Sequence, residues 1–191
     1  MKATNVLILA MVVAFLASTA SPTPVVSSLG FSTEGLSQGR VWTLLTSIFT
    51  HVDAFQLAVN MLFLYAFGNA LEDKVGAKKA MLVFFIGGVA GLVAGIPFYP
   101  PYTIIVGSSI AVSALLGAVI VLNPNGKSTP LFLLLPLGLV ALIYVIFNVF
   151  MVVYDQSGGV AWPSHIIGFS IGLLVGLVWR RNDRKTSGSS N

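Results

Sequence analysis

Cysteine is absent from this 191-residue chain, and only 8% of its residues are charged. Without cysteine there is no disulfide frame, no thiolate metal site and no thiol nucleophile. The shortage of charge excludes an ordinary soluble surface, since soluble domains carry about a quarter of their residues as Asp, Glu, Lys or Arg. Histidine occurs twice, as His51 and His165, so imidazole chemistry has only two addresses. Asp and Glu total six, and none falls in the interior of the spans read below, Asp53 lying at the edge of the second. A catalytic triad completed by a carboxylate within the apolar segments therefore has no acid to use. A dyad is the available arrangement.

What is present instead is apolar: 56% of the residues. Runs of membrane-spanning length recur along the chain, which makes it a polytopic membrane protein of all-α class. The net charge of +4 does not point to a nucleic-acid partner. Its basic residues sit in short loops and the tail, where membrane topology uses them.

Residues 5–20 form the first apolar run, extended weakly by Val25 and Val26, so that residues 1–28 make a first transmembrane segment. Its basic start at Lys2, short apolar middle and Ser18-Thr19-Ala20 also match a cleavable signal; the six-span count favours a retained helix. A Pro/Ser/Gly-bearing loop over 21–50 follows, ending in the amphipathic stretch Arg40 to Leu45. The second span runs from about Val52 to Leu71 and the third from Ala80 to Ile96, with Gly87, Gly91 and Gly95 on one close-packing face. The fourth runs from near Gly107 to Leu122, stopped by the turn Asn123-Pro124-Asn125-Gly126. The fifth covers Leu131 to Tyr154 and the sixth Trp162 to Trp179. Residues 29–180 are the expected core, and 181–191 a disordered cytoplasmic tail. With the N-terminus inside, the inner segments collect Lys2, Lys74, Lys78, Lys79, Lys127, Arg180, Arg181, Arg184 and Lys185, and the outer loops keep only Arg40. Both termini are then cytoplasmic in a cell-membrane protein.

The fourth span carries the sharpest chemical signal. Ser109, Ser113 and Gly117 recur at i, i+4 and i+8, a small and faintly polar stripe that invites another helix to approach closely. From Ser109 to Leu122 the helix rises about 21 Å against roughly 30 Å of hydrocarbon, so Ser109 lies below the outer surface. His165 starts the sixth span, followed on one broad face by Gly168, Gly172 and Gly176. The two stripes are suited to pack on each other, bringing Ser109 and His165 to one depth. A serine in a membrane helix usually just bonds the preceding turn. A histidine there is costly and functional by default, and neutral imidazole is the usual base for a serine nucleophile. Gln56 and Asn60 share a face of the second span, and uncharged amides suit an oxyanion pocket in a low dielectric. His51 sits at or before the start of that span.

A His-x4-Gln-x3-Asn helix, a Gly-x-Ser opening of the fourth span and a His-x2-Gly-x3-Gly sixth span, in that order within six spans, resemble the rhomboid family of intramembrane serine proteases. The likeness covers about residues 40 to 180. It implies a six-helix rhomboid-like bundle, Ser109 as nucleophile and His165 as general base. Asn60 and the Ser109 backbone N–H become oxyanion donors, with Gln56, Gly107 and His51 shaping the site. Ser113, Gly117, Gly168 and Gly172 serve helix packing. The partners implied are the lipid bilayer and transmembrane-helix substrates that arrive beside the fifth span, under the loop Asp155 to Ala161, at a site open to the outer side. Neither a cofactor nor a metal is expected. This chain departs from the family pattern in having Ile110 where a glycine follows the nucleophile, Gln56 in place of a second histidine, and Ser113 in place of an aromatic residue. A rhomboid-like protein that binds helices without cutting them is the alternative reading.

Overall fold

The computed structural model describes residues 1–20, 22–124, 126, 135–155 and 160–188. Four helical stretches are long and apolar enough to cross a membrane: Ala54–Val75, Ala77–Phe98, Leu137–Tyr154 and Trp162–Asn182. Two shorter apolar helices, α1 (Ala3–Ser18) and the later Ser109–Leu122, join them in an all-α membrane bundle.

The segment read as a loop over 21–50 instead folds into three short helices among its described residues, α2 (Pro22–Leu29), α3 (Thr33–Ser37) and α4 (Thr43–Phe49). The reason for α3 is local: the Ser32 hydroxyl accepts from the Gly35 N–H at 3.0 Å, an N-cap with Glu34 in the first turn. The next span is α5 (Ala54–Phe63), a π-helical turn at Leu64–Gly68, and α6 (Asn69–Val75). It does not stop at the charged triplet Glu72-Asp73-Lys74. The Glu72 carboxylate accepts from the Ala3 and Thr4 N–H groups, each at 2.9 Å, and from the Thr4 hydroxyl at 2.7 Å. Lys2 pairs with Asp73 at 2.7 Å. The last turn of α6 thus caps the start of α1, satisfying donors that no helix satisfies for itself.

α7 (Ala77–Gly95) continues through a 3₁₀ turn, Ile96–Phe98, and the chain then wanders to Gly107 before α8 (Ser109–Leu122) begins. α9 (Leu137–Tyr154) and α10 (Trp162–Gly188) complete the bundle. Residues 131–134 of the expected fifth span, 156–159 of the loop before the sixth and 189–191 of the tail lie outside the described residues. α10 carries on past Arg180 and Arg181, where the sequence suggested disorder. Once a helix exists, adding residues such as Arg and Lys at its end costs little.

α8 is the hub, with every residue from Ile110 to Val119 buried. Small residues make this burial compatible with close helix approach. A Cβ on Gly87 would stand 2.2 Å from the Ala114 Cβ, and one on Gly172 1.9 Å from the Ala114 carbonyl oxygen. In lipid, where apolar surface gains nothing from hiding, such backbone contact is what holds helices together. The stripes do not meet in the register expected. Gly168, Gly172 and Gly176 lie against the carbonyls of Ile110, Ala114 and Ala118, one residue on from Ser109, Ser113 and Gly117. Gly117 packs on the Phe169 carbonyl and Leu173, while Ser113 meets Tyr144 of α9. The offset turns Ser109 from the seam toward its rim.

Candidate active site

Ser109 is the first residue of α8, at the end of the irregular stretch that follows α7. Gly107 makes that ending possible. It has φ +108°, a conformation costly for a side chain, and its N–H donates to the Ser47 carbonyl at 2.9 Å. A Cβ there would stand 3.1 Å from Gln56 Nε2. Because α8 starts at Ser109, the N–H groups of its first turn have no partner within the helix and carry the positive end of its dipole.

His165 comes from the first turn of α10. Its Nε2 lies 2.7 Å from Ser109 Oγ. Trp162, one turn back, sets its ring edge-on to the imidazole at 5.7 Å between centroids, and its indole N–H donates to Asp155 at 2.8 Å. The other ring nitrogen, Nδ1, is 3.2 Å from Asn148 Oδ1 on α9. Tyr99, just beyond α7, fixes the start of α10: its hydroxyl accepts from the Ser164 N–H at 3.1 Å and donates to Ser164 Oγ at 3.2 Å. Burial pushes the Tyr99 phenol pKa up, so it keeps the proton it donates.

Ser109 and His165 border a cavity of about 100 Å3 shared with Gln56, Tyr99, Val106 and Val160. Such a volume has room for a few waters, and its polar lining gives them partners. Gln56 spans it: Nε2 donates to the Val106 carbonyl at 3.3 Å, and Oε1 accepts from the Val52 N–H at 2.9 Å. Asn60 lies one turn deeper, donating to the Gln56 carbonyl at 2.9 Å, with Nδ2 3.6 Å from the place a Gly107 Cβ would take. Ile110 follows Ser109 but points elsewhere. Its Cγ2 fills the space left by Gly91 and Gly168, so the β-branch is taken up between α7 and α10.

His51 does not join this group. It is 3% exposed and borders a different cavity of about 170 Å3, lined by residues of α1, α2 and α4 such as Phe15, Val25 and Thr46. Its two ring nitrogens lack a well-formed hydrogen bond, and burial holds its pKa down to about 4. The expectation that it shapes the outer end of the site is corrected on this ground: the chain after it turns Val52 and Gln56, not the imidazole, toward Ser109.

Asn148, Tyr144, Tyr99 and Trp162 were not singled out in the sequence. A signal existed for the first two, a polar pair at i and i+4 in an otherwise apolar span. Among the described residues, no group of three or more His, Asp and Glu side chains comes together in a way that could hold a metal ion.

Comparison with known proteins adds the following. Residues 38–182 match the Rhomboid domain. The rhomboid protease GlpG of Salmonella paratyphi A is 27% identical over 147 residues, covering 76% of this chain and 51% of GlpG. The rhomboid protease GluP of Bacillus subtilis is 34% identical over 85 residues, 44% of this chain and 16% of GluP. The chain thus spans about half the length of the GlpG relative and a smaller share of GluP.

Proposed function

The chain belongs to the rhomboid family, and from that premise we propose that it is an intramembrane serine endopeptidase cutting transmembrane helices with Ser109 and His165. The observation that carries this reading is the 2.7 Å contact between Ser109 Oγ and His165 Nε2 beside a cavity within a membrane bundle. His165 takes the Ser109 proton as the hydroxyl oxygen attacks a substrate carbonyl, then returns it to the leaving amine. The oxyanion that forms faces the α8 N-terminus, where the Ser109 N–H donates and the helix dipole favours negative charge. Asn60 and Gln56 supply amide donors from α5. Gln56 must give up its bond to the Val106 carbonyl to do so. Water for the second half-reaction comes through the irregular stretch before α8, backbone at membrane depth that lines a cavity.

The substrate class follows from the setting: a membrane helix reaches Ser109 only after unwinding, so that a carbonyl is freed from its own ladder. The lipid bilayer is the common solvent. The bundle face that gathers Lys2, Lys74 and Arg180 is the cytoplasmic one, and the site opens to the opposite side.

The experiment is fluorophosphonate labelling of the purified protein, with cleavage of a transmembrane-helix reporter in proteoliposomes. Wild type is labelled and cuts, and Ser109→Ala and His165→Ala do neither. Equal cleavage by Ser109→Ala removes the proposal. Helix binding without hydrolysis is the competing reading, supported by Gln56 spending its amide within the fold. It predicts reporter capture unaffected by Ser109→Ala and no labelling of wild type.

A further inference from the structure

Asn148 is 1% exposed and sits in the second half of α9, an otherwise largely apolar helix. Its Nδ2 donates to the Tyr144 carbonyl one turn back at 2.9 Å, and its Oδ1 is 3.2 Å from His165 Nδ1. A carboxamide has one donating end and one accepting end. The reverse orientation would set Oδ1 at that distance from the Tyr144 carbonyl oxygen, acceptor against acceptor. With the donor end committed to α9, the oxygen faces the ring, and an amide oxygen can only accept. His165 Nδ1 therefore carries the proton, and Nε2, facing Ser109, is bare. The opposite tautomer would leave Ser109 without a base.

The anchor beneath Asn148 is itself held. Ser113 spends its single hydroxyl hydrogen on the Ser109 carbonyl at 2.7 Å, so in its short contact with Tyr144 the tyrosine donates. That bond ties α9 to α8 one turn from the nucleophile and sets the height at which Asn148 meets the imidazole.

We infer that Asn148 is a positioning residue that fixes the tautomer and ring orientation of His165, giving the Ser109–His165 pair a neutral third member from α9. The inference rests on the protease reading for its consequence in catalysis, but not for its test. In ¹⁵N spectra of the wild-type protein in bicelles, with the signal assigned by His165→Ala, His165 is expected as the single Nδ1–H tautomer. In Asn148→Leu, which offers no acceptor, the two tautomers mix. Reporter cleavage gives the second readout. Asn148→Leu lowers kcat at least tenfold with KM unchanged. Asn148→Asp restores the acceptor and keeps kcat within a few-fold of wild type. Its carboxylate favours the imidazolium, so the acid limb of the kcat/KM profile moves to higher pH. A wild-type His165 found protonated at Nε2, or an Asn148→Leu protein with wild-type kcat and pH profile, overturns the inference. A wild type that shows the Nδ1–H tautomer but neither labels nor cuts overturns the protease reading and leaves the role of Asn148 standing.

Discussion

The α8–α10 seam and α9 both meet at His165 but are held by opposite means. Across the seam, backbones touch: Gly168, Gly172 and Gly176 leave no side chain between α10 and the carbonyls of α8. On α9, Leu142, Ile143, Ile146, Phe147, Val149 and Phe150 are each half or more exposed, and the helix is fastened to its neighbours at Tyr144, Asn148 and the Phe147–Trp162 ring contact. The first arrangement fixes a distance, since two backbones in contact cannot approach further or slide without a clash. The second fixes an orientation, through a few directional bonds on a helix whose apolar burial is confined to its start, at Leu137, Val140 and Ala141. Ser109 and His165 sit on the part set by contact, and Asn148, which faces the imidazole, sits on the part set by hydrogen bonds.

This contrast can be broken at the seam first. Gly172→Val puts a Cβ within 1.9 Å of the Ala114 carbonyl oxygen, an overpacked contact with backbone on the far side that costs about 3 kcal/mol. The expected outcome is loss of the folded fraction in detergent thermal melts, and cleavage with it. Next comes Ile110→Gly, which restores the family residue after Ser109. Because Ile110 fills the room beside Gly91 and Gly168, the change opens a cavity and lowers stability by about 3 kcal/mol instead of raising activity; melting temperature and reporter turnover measured together decide it.

A test away from the seam uses pH. His51 has its pKa held down to about 4 by burial, against an ordinary 6.5. The unfolded chain therefore binds a proton at higher pH than the folded one, so the stability tied to a neutral His51 is full above 6.5 and declines as pH falls toward about 4. His51→Leu should flatten that decline in melts across the range, while the seam variants keep it. Smaller still is Tyr99→Phe, which removes the acceptor for the Ser164 N–H. It should cost about 1 kcal/mol and speed amide exchange in the first turn of α10. The mildest change is Ile146→Ala on the exposed face of α9, expected to move stability by about 0.5 kcal/mol or less. A large effect there would mean that α9 is packed as the seam is.

How much of this could be read from the chain alone differs by element. α8 and the start of α10 stand out because serine and histidine are out of place in apolar runs and because the glycines after His165 repeat at helical spacing. The bundle class followed from apolar runs whose length alone decides it. The register of the stripes did not, since a face drawn with residues about 100° apart leaves neighbouring rows equally plausible until packing chooses. α2 to α4 were missed because their caps, such as Ser32, lie in a segment whose Pro and Gly content argues for turns. His51 was grouped with Gln56 by proximity in sequence, but its position before the α5 N-cap Asp53 sends its ring to the other side. Asn148 does not stand out in the chain because the partner expected on a base's second nitrogen is an acid, and an amide oxygen accepts from the same nitrogen.

The π turn at Leu64–Gly68 lets one span keep two appointments. One residue more than an α-helical turn needs rotates everything after it by about 100°. Gln56 and Asn60, before the turn, look toward Gly107, whereas Gly68, its last residue, and Asn69, after it, look toward Thr4 and Asn5 of α1. Deleting a single residue from the turn would force a choice: either the amides stay aimed at the cavity and the far half loses its grip on α1, or the reverse. The bulge is a phase shifter, and through it the fit of α1 is transmitted along the span to the aim of Gln56 and Asn60.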